Sequence, residues 1–272
     1  MAHDFDPGYG IEPFRTLCAD VPDEEVYPPA DFRTEWGPVF HRGRLNGSAR
    51  VLILGQDPAQ HETISRRILV GEAGQRIQGF LAKLGIDRSY VMINTFLYSV
   101  YGQGGGNRHK NNSAIAAYRH RWIDAILTHG KVEAAVALGT LADHAWQTWK
   151  KTPKGLATEL PNARITHPTQ PESSSGGDAA KHAAAVKAML ANWNAALTAL
   201  KPSILHADRA IPLRLYGPEF EAGDDVEIPE IDMPAGTPPW MRGLASWSRR
   251  TGSTPALKRA TITVTVPKAF RR

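Results

Sequence analysis

Val51-Leu52-Ile53-Leu54-Gly55-Gln56-Asp57-Pro58 is the stretch on which the fold turns. Four consecutive apolar residues without polar alternation suit a strand covered on both faces, the condition of a strand inside a parallel sheet. Gly55 and Pro58 end the strand, so Gln56 and Asp57 fall at its carboxyl end. From about 50 to 200 the chain alternates such runs with helical patterns. Ile77, Phe80, Leu81 and Leu84 recur at three- and four-residue spacing and predict a helix over 74–84, with Gly85 as its stop. A second strand is expected over 90–94. Asn112 or Ser113 caps a helix running to about 129, followed by a third strand over 133–138 and a helix over 141–149. A fourth strand falls at 163–166. After a Ser/Gly loop an alanine-rich helix occupies roughly 178–200. The expected fold is α/β, a three-layer α/β/α sandwich with a central four-stranded parallel sheet.

The flanks differ. Pro22, Pro28 and Pro29 stand early and Pro229, Pro234, Pro238 and Pro239 late, so both extensions read as irregular. Phe14, Tyr27, Phe32, Trp36, Leu213, Tyr216, Trp240 and Trp247 nevertheless supply apolar surface that packs over a central layer. The expected organisation is one domain over 1–200, including the N-terminal extension, with a C-terminal extension over 201–272 wrapped on it and basic at its end. The branched-polar alternation over 261–266 predicts a strand that Pro267 confines to an edge or a hairpin.

Composition bounds the function. With 42% hydrophobic and 22% charged residues the 272-residue chain buries one sizeable core. No run approaches the roughly 18 apolar residues of a membrane span, and Met1 to Asp6 lacks a basic start followed by an apolar stretch. The expectation is a cytoplasmic monomer with no membrane partner. Cys18 stands alone, which rules out an internal disulfide and leaves no ligand set for a zinc finger or iron–sulfur cluster; no cofactor is expected. A net charge of +5 permits attraction to nucleic acid without requiring it. Its distribution says more: seven acids and no Lys or Arg lie over 219–232, and eight bases and no acid from 233 to the end. That cationic block is read either as a solvated tail or as a contact to the DNA backbone.

Ligands of a parallel sheet gather at the carboxyl ends of its strands. Those ends read Gly55-Gln56-Asp57-Pro58-Ala59-Gln60, Asn94-Thr95, Gly139-Thr140 and His167-Pro168-Thr169. A carboxylate, an amide and an imidazole on one rim are able to polarise a bond, read a hydrogen-bonding ligand and place a water. Taken singly, Asp57 or Thr140 serves equally as a helix cap, Asn94 as a turn residue and His167 as a loop residue.

Taken together they resemble the uracil-DNA glycosylase superfamily. Gly55-Gln56-Asp57-Pro58 is similar to the GQDPYH motif of its family 1 enzymes, Ile93-Asn94-Thr95-Phe96-Leu97 to their strand ending in asparagine, and His167-Pro168-Thr169 to their HPS motif, in the same order. Val70-Gly71-Glu72-Ala73-Gly74-Gln75 and Gly106-Asn107-Arg108 look instead like segments of the iron–sulfur families, whose four cysteines are absent. The resemblance covers about 50 to 200. It implies a monofunctional DNA glycosylase of base-excision repair that flips uracil out of DNA and hydrolyses its N-glycosidic bond. It implies that Asp57 stabilises the sugar cation and orients water, and that His167 donates to uracil O2. Gln56 and Asn94 would bind the base, the amide of Asn94 matching uracil N3-H and O4 and rejecting cytosine.

The departures matter as much. Ala59 stands where family 1 has the tyrosine that excludes thymine, which implies a roomier pocket open to 5-substituted or deaminated bases. Leu69 aligns with the base-stacking phenylalanine of the iron–sulfur relatives; Tyr98 or Tyr101 is the alternative stack. Gln170 and Pro171 replace the leucine wedge. Thr140, Pro168, Thr169, Gln170, Pro171 and Arg108 are expected at the DNA, with the glycine run 104–106 and its following bases as a second backbone-binding loop. Two other readings stay open: a non-catalytic nucleic-acid or nucleobase binder on the same fold, and another α/β hydrolase, although no Gly-x-Ser-x-Gly elbow is present.

Overall fold

The computed structural model describes residue 6 and residues 8–102, 105–244 and 246–271. Gly104 of the glycine run, Arg272 of the basic block and the first five residues lie outside the described residues. The elements are, in order, α1 (Phe14–Ala19), β1 (His41–Gly43), β2 (Val51–Gly55), α2 (Gln60–Ser65), α3 (Glu72–Leu84), β3 (Tyr90–Asn94), α4 (Gly105–His109), α5 (Ser113–His129) and β4 (Ala134–Leu138). The chain continues through α6 (Gly139–Lys150), α7 (Pro153–Leu156), β5 (Asn162–Ile165), α8 (Gln170–Ser174), α9 (Ala179–Leu200), α10 (Trp240–Gly243), β6 (Ser248–Arg250), α11 (Pro255–Ala260) and β7 (Ile262–Val264).

The main sheet has the order β1-β3-β2-β4-β5, with the last four parallel and β1 antiparallel to β3. The four expected strands are all present; the fifth, His41–Gly43, is an addition to the sequence reading. Nothing in His-Arg-Gly favours a strand. Burial explains it: Arg42 is 0% exposed and its guanidinium pairs at 3.0 Å with the equally buried Asp232, which Arg44 and the Tyr90 hydroxyl also contact. The partner comes from 190 residues along the chain, beyond the reach of local pattern.

Alternate residues of β2 serve opposite faces, as pleating requires. Leu52 and Leu54 pack with Trp122, Ile123 and Trp146 of α5 and α6. Val51 and Ile53 pack with Ile77 and Phe80 of α3 and Trp193 of α9. Three layers result. β2 has β3 on one side and β4 on the other, so the chain switches direction about β2 and a crevice opens outside its carboxyl end. Among the described residues no helix is long and apolar enough to cross a membrane.

The flanking segments lie on this core through specific contacts. Asp232 joins 230–232 to β1. The buried Trp247 sets its ring edge-on at 4.8 Å to His61, whose Nε2 accepts the Ser248 N–H at 3.3 Å, fastening β6 beside α2. β6 and β7 form an antiparallel pair, so the strand expected over 261–266 is one arm of a hairpin.

Candidate active site

Gln56 and Asp57 follow β2 directly. The Thr95 and Phe96 N–H groups donate to the Gly55 and Gln56 carbonyls at 2.8 Å, holding the ends of β2 and β3 side by side. Asp57 caps no helix. Its Oδ2 accepts the Val100 N–H and its Oδ1 the Gln56 amide, each at 3.0 Å. The residue keeps part of its surface open to the cleft while its carboxylate is walled by neighbouring atoms. Burial dominates and pushes the carboxyl up to about 6, against the two hydrogen bonds and the nearby Arg250 cation, which favour the ionised form. A second buried carboxylate, Glu62 of α2, is also raised by burial; it accepts the N–H groups of Ala59 at 3.0 Å and Val70 at 3.3 Å and so shapes the loop carrying Ala59.

His167 follows β5, on a segment tied down from two sides. Asn192 of α9 accepts the Thr166 N–H at 2.7 Å and the Trp193 indole donates to the Thr166 carbonyl at 2.9 Å. From α3, Arg76 donates to the Pro168 carbonyl and pairs with Glu172 of α8, at 2.6 and 2.9 Å. The Thr169 N–H donates to His167 Nδ1 at 3.3 Å, which places the ring proton on Nε2. Burial pushes the imidazole down to about 4, with Glu172 opposing, so the ring is neutral at physiological pH.

Two clefts open here and share Gln56, Asp57 and Arg250. One, about 390 Å³, is bordered by Ala59, His167, Thr169 and Gln170. The other, about 480 Å³, is bordered by Asn107, Gly106 and Thr140. Thus Gln56, Asp57, Ala59, His167, Thr169, Gln170 and Thr140 are brought together. Asn94 is buried at the end of β3, set so close to Gly55 that a Cβ there would meet its Oδ1 at 2.2 Å. Its amide makes no hydrogen bond among the described residues, and Asn94 borders neither cleft.

Other expected residues go elsewhere. Leu69 is 7% exposed within the hydrophobic cluster of α3 and α9, in the left-handed backbone region at φ 53°, and borders neither cleft. Tyr98 packs on Tyr27 at 5.0 Å, Tyr101 carries the Arg33 and Arg259 guanidiniums over its ring, and neither borders a cleft, so neither supplies the alternative stack there. Pro168 and Pro171 are buried and border neither cleft. Arg108 is exposed and paired with Asp31. Sequence reasoning missed Arg76, Asn192 and above all Arg250, which enters from β6; the basic block was the only signal for it.

A carboxylate raised by burial and a neutral imidazole stand together at the carboxyl edge of a parallel sheet, where groups of this kind are able to polarise a ligand. The chain belongs to the uracil DNA glycosylase superfamily, whose family model matches residues 42–181. That match runs from β1 into α9 and takes in Asp57, Asn94 and His167, but stops short of Arg250. Membership supports a DNA-glycosylase type of function and a DNA substrate in general terms. No curated protein matches the chain. Cys18 of α1 is the one cysteine, so the chain cannot supply the four ligands of the superfamily's iron–sulfur branches.

Proposed function

We propose that this protein is a monofunctional DNA glycosylase that hydrolyses the N-glycosidic bond of uracil in DNA, with a pocket that also admits 5-substituted or deaminated bases. The observation that carries the reading is that Asp57 and His167 border one cleft, the first enclosed and the second neutral with Nε2 protonated.

In the proposed reaction the flipped nucleotide lies with its sugar at Asp57 and its base against His167. The C1′–N1 bond breaks and its electron pair leaves with the base, so negative charge gathers on uracil O2 and positive charge on the sugar. The Nε2–H of His167 donates to O2; a neutral donor does this without surrendering its proton. Ionised Asp57 faces the sugar cation and accepts a proton from the water whose oxygen bonds to C1′. Asn94, whose amide has no hydrogen-bond partner among the described residues, reads N3-H and O4. Ala59 leaves open the side on which a larger residue would meet a 5-substituent.

The test is an alkali-cleavage assay on oligonucleotides carrying uracil, 5-substituted uracils or xanthine. Strand breaks at uracil are expected, with breaks at some of the larger bases. Ala59→Tyr should lower activity on 5-substituted uracils relative to uracil by about 10–200-fold, the range for excluding a group of one or two carbons. Absence of breaks at every base refutes the catalytic reading, and breaks confined to uracil refute the roomier pocket.

A further inference from the structure

Arg250 stands where the two clefts meet, half-buried, with its Nη2 donating to Ser99 Oγ at 2.6 Å. Two further guanidiniums lie behind it. Arg33, 7% exposed, donates from Nη1 to the Arg259 carbonyl at 3.0 Å and lies 4.4 Å from the Tyr101 ring centroid; Arg259 lies 4.2 Å from the same centroid. Burial is the main cause that lowers the proton affinity of Arg250 and of Arg33, and a neighbouring cation adds to it in each case, Arg33 at Arg250 and Arg259 at Arg33. None of the three forms an ion pair among the described residues; Asp57 and Glu62 act on Arg250, and Glu35 and Asp57 on Arg33, only at longer range. The Arg33 Nε is buried without a partner.

Gathering like charges without a counter-ion is unfavourable, and the cluster persists because the fold places it: Trp247 and Ser248 fasten β6 to α2, and the Tyr101 ring faces two of the cations. A ligand anion at Arg250 relieves that repulsion. The cleft with His167 and Ala59 has the place for a base; the polar cleft with Gly106, Asn107 and Thr140 has the place for a sugar–phosphate chain, and Arg250 lies between. We propose that Arg250, backed by Arg33 and Arg259, binds the DNA phosphodiester next to the flipped nucleotide, making the C-terminal hairpin part of the substrate site. This rests on the glycosylase reading for the base in the neighbouring cleft, and it lies outside the matched family region.

The test measures binding of the full chain to a duplex carrying non-hydrolysable 2′-fluoro-2′-deoxyuridine across a salt series. Arg250→Ala should weaken binding roughly tenfold and reduce the slope of log affinity against log salt by about one, one phosphate contact's worth. Arg250→Lys, which keeps the charge, should retain that slope and guards against misfolding as the cause. Arg249→Ala, an exposed neighbour on the same strand, is the control for diffuse attraction. Unchanged affinity and slope in Arg250→Ala, or an equal loss in Arg249→Ala, overturns the proposal. So does unchanged affinity with a displaced acid limb of the cleavage rate, which would make Arg250 only a neighbour that tunes Asp57. Binding by the unaltered protein that Arg250→Ala weakens as expected, without strand breaks at any base, refutes the glycosylase reading and leaves only the phosphate contact of Arg250 standing; absence of DNA binding overturns both.

Discussion

At the scale of single residues, Asp57 and His167 occupy chemically opposite states for one physical cause. Burial disfavours charge, so it raises the acid to about 6 and lowers the base to about 4. Under the proposed reaction Asp57 works ionised and His167 works neutral. The acid limb of kcat/KM should therefore fall near pH 6 and be set by Asp57, with no limb from His167 above about pH 5. Asp57→Asn should remove that limb and lower kcat by about 10³-fold, within the range of a positioned acid–base group. A pH–rate profile of both proteins decides this; a variant that keeps the limb refutes the assignment. The linkage signs are opposite as well. Asp57 binds its proton more tightly folded than unfolded, so its contribution to stability falls as pH rises from about 4 to 6. His167 binds its proton less tightly folded, so its contribution is lost as pH drops from about 6.5 to 4. Residue types and their order were readable in the sequence, but these states were not, since they depend on which atoms wall each group.

At the scale of elements, the site is assembled from strand ends and held by helices. The continuous apolar run of β2 and the short runs of β3 and β4 were legible because doubly covered strands need no polar alternation. β5 was legible as a short run in the alternation of strands and helices, and lies at 162–165 against the expected 163–166. What holds His167 was not legible: Arg76 lies on α3 and reaches 92 residues forward to the Pro168 carbonyl. Its neighbours Ile77 and Phe80 mark α3 as a core helix, and periodicity says nothing of what the polar side does. Arg76→Ala frees the His167 segment and leaves Glu172 without its closest cation. The expected result is a fall in kcat of about 10²-fold, the cost of misplacing a reacting group by roughly an ångström. Binding of the non-hydrolysable duplex should change far less. Steady-state kinetics with saturating DNA test this, and an unaltered kcat excludes the positioning role.

At the scale of the molecule, the extensions hold the least expected interaction, the buried Arg42–Asp232 pair. Removing one member leaves an uncompensated charge in the interior. Asp232→Ala should therefore cost about 3–5 kcal/mol of stability, whereas a combined change of Arg42, Arg44 and Asp232 to apolar residues of similar volume should recover much of it. Denaturant titration of the single and combined variants measures both; a single variant within about 1 kcal/mol of the parent contradicts the expectation for a buried pair. By itself the sequence determined the four parallel strands, their helices and the three ordered motifs, because hydrophobic periodicity and turn chemistry are local and are written residue by residue. Tertiary structure alone decided that His41–Gly43 joins the sheet, that Leu69 turns into the core, and that Arg250 arrives beside Asp57 from almost 200 residues away. Those outcomes depend on contacts between distant segments, where burial and charge pairing override what any local stretch prefers.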